Sequence, residues 1–307
     1  FMFCCLNDHG HVLLAERIDA DEKAINDLKK QVKEQPKQLA KITRAKIKEL
    51  KAEKKTADQF GVVYSRSSKK LIKQLNQLLE QTDPAVLLSL EKEQLIDLVL
   101  QGGFAESMDD FIEQQNLLVN AITGSIQAVD PTYTPLFIDN ELQALKTLTV
   151  QNVFDDIVIP SVSKNLRDSL LSMVVDTPKD QAMSNLAQTL QRGAGTLQTE
   201  VRTKISQFGR SVNMIAADSV GMDLYLYTGP LDGITRSFCV PLVNKVVSKD
   251  QMNKLNNGQG LPVRSSGGGY NCRHSWSPVT SAFVDVAKLD RATAKDISDA
   301  NKGGKRK

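Results

Sequence analysis

Met222-Asp223-Leu224-Tyr225-Leu226-Tyr227-Thr228-Gly229-Pro230 is the point at which the texture of this 307-residue chain changes. Alternating β-forming residues run into a Gly-Pro break, which predicts a strand and then a turn. Upstream, the apolar residues recur at helical spacing over long stretches. Ser65 to Gly221 reads as a multi-helix domain, with helices over 67–80, from an Asp83 N-cap with Pro84 at the first helical position to Gly102, and over 106–127. The run 138–175 is helical but divides at Pro160; Thr177-Pro178 opens a helix closed by Gly193, and 196–220 is the last long one, ending at Gly221. Downstream, Ser248-Lys249-Asp250-Gln251 is a capping box opening a short helix to Asn256, Gly258–Gly269 is a loop or wide hairpin, and Tyr270–Trp276 reads as a strand. The fold class is mainly α, with a small α+β module at 222–280.

The beginning of the chain is different again. Residues 19–58 read as a long helix in which Ile25, Leu28, Val32, Leu39 and Ile42 keep a 3-4 spacing before the register slips by one to Ile47 and Leu50. Pro36 should break or kink it, because it has no N–H to donate. The stripe is narrow, so such an arm needs a partner surface. Residues 29–55 carry eleven Lys/Arg against three Glu, a net +8 in a chain of net +3. Lys29, Lys30, Lys33, Lys41, Arg44 and Lys48 are the candidate contacts for DNA or an acidic protein surface. The division expected is therefore 1–60 basic helical arm, 61–221 helical domain, 222–280 α+β module and 281–307 basic tail with one weak helix.

Aromatics make up only 5% of the chain, which favours helix over a β-sandwich. No apolar run approaches the roughly 20 residues that cross a bilayer, so no membrane partner is expected. Phe1–Leu6 lacks a basic segment and is too short for a secretory core. Four cysteines in 307 residues are too few for a disulfide framework and point to a reducing compartment. Cys4, Cys5, His9 and His11 could form a metal set, but adjacent cysteines chelate one ion poorly, so a bland terminus is expected.

The module carries the chemistry. Asp232, Thr235, Arg236 and Cys239 lie in one segment; Asn271, Cys272, Arg273, His274 and Pro278 lie in a second. Cys272 and His274 are two apart, so on a strand both project to one face, and Cys239 could meet them across the module. Three such donors suit structural zinc, with Asp232 as the one candidate for a fourth. Packing as small apolar residues or a disulfide, with His274 bonding locally, is expected ahead of zinc, so no cofactor is expected. Asp232 is the natural carboxylate partner for Arg236 and Arg273. No G-x-S-x-G, H-E-x-x-H or Walker lysine is present, so no catalytic residue is expected.

In order and spacing these two segments resemble the Mu F-like minor head, or head-morphogenesis, proteins of tailed bacteriophages. There an Asp-x-x-Thr-Arg segment ending in His or Cys is followed, after a variable loop, by Asn-Cys-Arg-Cys or Asn-Cys-Arg-His and a proline. The match covers roughly 200–280, about a quarter of the chain. The resemblance implies a structural, non-enzymatic protein of the virion head. It would act near the portal vertex, assemble in the host cytoplasm and serve in assembly, packaging or ejection. The implied partners are the portal protein, packaged double-stranded DNA bound without sequence preference, and other head proteins. Some relatives are fused to toxin domains, so an effector enzyme carried with the head is one alternative, and a non-specific DNA-binding assembly factor is another.

Overall fold

The computed structural model describes the backbone of residues 9–304 and the surroundings of side chains from residue 20 to 304. The chain is predominantly helical, with one small antiparallel sheet near its C-terminus. In order, the helices are α1 (His9–Glu34), α2 (Lys37–Leu78), α3 (Pro84–Leu88), α4 (Lys92–Val99), α5 (Ala105–Ile126), α6 (Asp139–Val153), α7 (Ile159–Val175) and α8 (Lys179–Ser219). Then come β1 (Leu224–Thr228), β2 (Val246–Ser248), α9 (Lys249–Asn253), α10 (Val263–Ser266), β3 (Ser275–Val279), α11 (Ser281–Ala287) and α12 (Ala294–Gly304).

Local chemistry sets most boundaries. Pro36 separates α1 from α2, and Asp83 caps α3 by accepting from Ala85 N at 2.8 Å. Ser248 and Gln251 form the expected capping box of α9. Several boundaries differ from expectation. The helix expected from Pro84 to Gly102 is two short helices, because Ser89–Leu90 breaks the first and a Glu91/Gln94 capping box starts the second. Gly102 ends nothing; the chain runs on through a π-helical turn at Leu100–Phe104, where Gly103 takes φ 108, a left-handed value closed to most side chains. Gly193 does not close a helix either: α8 runs unbroken for 41 residues, since a single glycine weakens a helix without terminating it. Tyr270–Cys272 turns, with Asn271 at φ 54, and the strand begins only at Ser275. The C-terminal stretch holds two helices, of which α12 buries Ile297 and Ala300.

Two compact units result, and neither is a single block of sequence. One comprises Thr56–Gln114 and Leu148–Val201. Its core centres on Phe60, Tyr64, Phe104, Phe111 and Phe154, whose rings meet mostly edge-to-face at centroid distances of 5.6–6.3 Å.

The other comprises Arg17–Lys55, Gln115–Thr147 and Arg202–Lys307. Its sheet has order β2-β1-β3, both pairings antiparallel, with Tyr225 opposite Val247 and Pro278, and Tyr227 opposite Trp276. All five residues of β1 are buried. Tyr225 and Tyr227 pack on one face with Met214, Ala217, Phe238, Leu242 and Trp276. Leu224 and Leu226 pack on the other with Leu39 and Ile42 of α2 and with Val246, Val279 and Val284.

The basic arm therefore has its partner surface within the chain. The apparent register slip in α2 marks two buried faces: Leu39 and Ile42 meet the sheet, whereas Ile47 and Leu50 meet Ile25 and Leu28 of α1. An arm separable from the module is not what the packing shows. Replacing Ile42, fully buried against the sheet, with Ala should lower stability by about 2–5 kcal/mol. Trp276, the one tryptophan, is the probe: its fluorescence transition in urea should shift to lower concentration. An unchanged transition would mean that α2 does not support the module.

Candidate functional site

Cys239, Cys272 and His274 converge, all three buried. They arrive from separate places. β1 ends at Thr228, the Gly229-Pro230 turn follows, and a run of turns between Arg236 and Val243 presents Cys239. The Gly269–Cys272 turn and the left-handed Asn271 swing Cys272 and His274 inward just before β3. Their convergence comes from that turn, not from the strand alternation expected of them.

The two sulfurs are 3.9 Å apart, both as free thiols, and Cys272 Sγ is 3.7 Å from His274 Nδ1. Tyr227, fully buried on β1, brings its phenolic oxygen to 3.3 Å from Cys239 Sγ and 3.6 Å from Cys272 Sγ, and its ring stacks on His274 at 5.2 Å. The Gly268 N–H donates to Cys272 Sγ at 3.2 Å. Only glycine fits there, since a Cβ would stand 2.5 Å from Cys239 Sγ.

The electrostatics divide the thiols. The hydrogen bond from Cys239 pulls the Cys272 thiol well below its ordinary range against the cost of burial, with His274 and Arg210 assisting. Cys239, on the other side of that contact, is pushed up by it and by burial. Burial, followed by the neighbouring thiols, raises the Tyr227 phenol.

The arginines behave differently from one another. Arg273 makes the expected bidentate pair with Asp232, at 2.6 and 2.7 Å, and also donates to Ala20 O. Although burial opposes it, that pair holds the Asp232 carboxyl below its usual range. Arg236 does not pair with Asp232. It donates to the carbonyls of Gly268 and Tyr270, each at 2.5 Å, because Asp232 is already occupied by Arg273 and Thr235 while the turn offers two unpaired oxygens. Asp232, so engaged, is not a fourth member of the thiol–imidazole cluster.

Sequence reasoning missed Arg210 and Tyr227. Arg210 on α8 is 3% exposed and donates to the carbonyls of His274 (2.8 Å), Ser265 (3.2 Å) and Cys272. A cation on the buried face of α8, in register with Asn213 and Ala217, was the signal available.

A second buried polar group lies alongside. Lys46 and Glu49, each 1% exposed, pair at 2.8 Å, and Lys46 is 3.9 Å from Glu53. Ser206 donates to Glu53 at 2.6 Å and Ser275 to Glu49 at 3.4 Å. Glu53 also lines a cavity of about 160 Å³ with Asp21, Arg202, Asn271 and Arg273. Among these, Arg202 pairs with Asp21 and Arg273 with Asp232.

The six cations named from sequence are all exposed. On α2, Lys37, Lys41, Arg44, Lys48, Lys51 and Lys55 recur at alternating spacings of four and three, which sets them along one face. Lys41 reaches Ala128 O at 3.0 Å and Lys29 reaches Asn26 Oδ1 at 3.3 Å. Among the described residues, no ion pair engages Lys37, Arg44, Lys48, Lys51 or Lys55. Cys4, Cys5, and the side chains of His9 and His11 lie outside the described residues, as do Lys305–Lys307.

Comparison with family models, with curated proteins and with solved structures finds no match to this chain. No helix among the described residues is long and apolar enough to cross a membrane.

Two measurements test this reading of the site. Arg210→Met should cost at least about 3 kcal/mol, because three carbonyls lose their donor together; a loss under about 1 kcal/mol would deny Arg210 that role. Burial, ahead of the opposing Lys46, raises the Glu53 pKa from 4.5. The folded state therefore holds the proton more tightly than the unfolded one, and stability falls as pH rises from about 4.5 through the raised value. Glu53→Gln keeps an acceptor for Ser206 and should flatten that decline in urea midpoints measured across pH.

Proposed function

We propose that this chain is a structural protein of a tailed-phage head, acting at the portal vertex and touching packaged DNA through the outer face of α2. The observation that carries the DNA contact is the row of six cations on that face. Nineteen residues of helix place them along about 27 Å, one roughly every 5 Å. The acids of the same stretch, Glu49 and Glu53, are turned inward onto Lys46 and the serines, so they do not offset the row. Packing against the sheet and α1 holds the helix, which lowers the entropy lost on binding.

The location is supported by the resemblance of the two motif segments. Their residues build one another's surroundings: Asp232 holds Arg273, Arg236 holds the 268–270 turn, and Cys239 meets Cys272 and His274. A motif used in this way fits a structural role. Phosphate neutralisation needs no base readout, so the row serves DNA of any sequence.

Binding of the full chain to mixed-sequence duplex DNA should weaken steeply with salt. Lys41→Gln/Arg44→Gln/Lys48→Gln together should lower the slope of log affinity against log salt by about one for each phosphate no longer neutralised, equally for different sequences. Equal affinity and slope in wild type and variant would remove the DNA contact. Purified heads containing portal but none of this protein would remove the virion role.

A further inference from the structure

The geometry points to a buried zinc site formed by Cys239 Sγ, Cys272 Sγ and His274 Nδ1, with the phenolic oxygen of Tyr227 completing a tetrahedron. A tetrahedral zinc with Zn–S about 2.3 Å and Zn–N or Zn–O about 2.0 Å has ligand–ligand edges of about 3.3–3.8 Å. Four of the six edges here are 3.9 Å between the sulfurs, 3.7 Å from Cys272 to His274, and 3.3 and 3.6 Å from the Tyr227 oxygen to the two sulfurs, and the Cys239 sulfur lies within 4.8 Å of the imidazole donor. Four donors from three separate segments thus come together with sulfur-centred edges close to those of one ion's shell.

Three further features fit a metal better than simple packing. His274 Nε2 lies 2.9 Å from the Pro230 carbonyl, which can only accept, so Nε2 carries the proton and Nδ1 presents its lone pair to the cluster. The Gly268 N–H directed at Cys272 Sγ is the kind of donor that stabilises a metal-bound thiolate. The cluster is buried: Tyr227 is fully buried, Cys239 is 1% exposed, His274 2% and Cys272 5%, the last beside the cavity of about 160 Å³, while Gly268 leaves no space beside Cys239. A structural zinc site takes four protein ligands, and Tyr227 is the oxygen donor in place, 3.3 and 3.6 Å from the two sulfurs. Two sulfurs, a nitrogen and an oxygen in a tetrahedron select zinc over calcium or magnesium, which take six or more oxygens.

Binding expels the protons of the two thiols and the phenol, and the resulting three negative charges outweigh the ion by one. Arg210, which donates to the carbonyls of Cys272 and His274, and Arg236, which holds the adjacent turn, supply nearby positive charge. The ion would join the end of β1, the 236–243 turns and the 272–274 segment, so its role is structural and independent of what the protein docks on.

The full chain, expressed with zinc and purified under reducing conditions, should contain one zinc per molecule by elemental mass spectrometry. Replacing zinc with Co²⁺ should give thiolate charge-transfer absorption and the intense visible bands of a tetrahedral ion. Tyr227→Phe keeps the ring and its stacking on His274 but removes the oxygen. It should remain folded, bind roughly ten- to a hundredfold more weakly in chelator competition, and show altered visible bands. Cys272→Ala should abolish the charge-transfer absorption. A wild-type protein that takes up neither zinc nor Co²⁺, or whose two cysteines are joined as a disulfide under those conditions, overturns the site. Tyr227→Phe with unchanged affinity and unchanged Co²⁺ bands overturns the four-ligand assignment.

Discussion

A strand buried on both faces cannot be stable until two separate layers cover it. β1 has no residue facing solvent, and its alternating side chains divide between the aromatic cluster around Trp276 and the aliphatic cluster that includes Leu39 and Ile42. Much of the C-terminal unit follows from that requirement. α8 leads straight into β1 and supplies Met214 and Ala217 to one side, while α2 returns from far upstream to cover the other. The hydroxyls of Thr228 and Ser277 meet at 3.0 Å on the α2 side, where the apolar lining gives way to Glu49. A sheet of three short strands gains its stability from these layers more than from its ladders.

The same requirement explains why a helix with so many cations buries a lysine. α2 turns one face to the sheet, another to α1 and a third outward, and Lys46 falls on the inner side with two carboxylates in reach, each of which accepts from a serine. A buried charge is tolerated when each of its neighbours is satisfied, and an uncompensated one costs several kcal/mol. Arg210 applies similar logic to backbone: the 265–274 segment has few ladder bonds of its own, and one guanidinium supplies donors to three of its carbonyls. The polar interior therefore sets the path of the segments that bring the cysteines and the histidine together.

Much of this was legible in the sequence, and the limits have physical causes. Capping residues and prolines act over four or five residues, so Asp83, Ser248, Pro36 and Pro160 marked real boundaries. Glycine signals were less dependable, since Gly193 sits inside α8 and Gly102 inside a helical turn, where tertiary packing outweighs a propensity cost of about 1 kcal/mol. The meeting of Cys239 with Cys272 and His274 was readable from the paired motif segments. The parts played by Tyr227 and Arg210 were not, because a tyrosine in a strand and an arginine in a helix carry no local mark of what they touch. Helical periodicity showed that α2 had an apolar stripe; it could not show that the stripe belonged against a sheet whose first strand begins at Leu224.

That distance along the chain has a consequence during synthesis. Leu39 and Ile42 leave the ribosome about 180 residues ahead of the strand they cover. At about 5–20 residues per second, they wait roughly ten to forty seconds for that strand. Throughout that interval the nascent chain displays an apolar edge beside a dense row of cations. Like charges repel, so the row that faces outward in the finished protein would also disfavour association between unfinished ones.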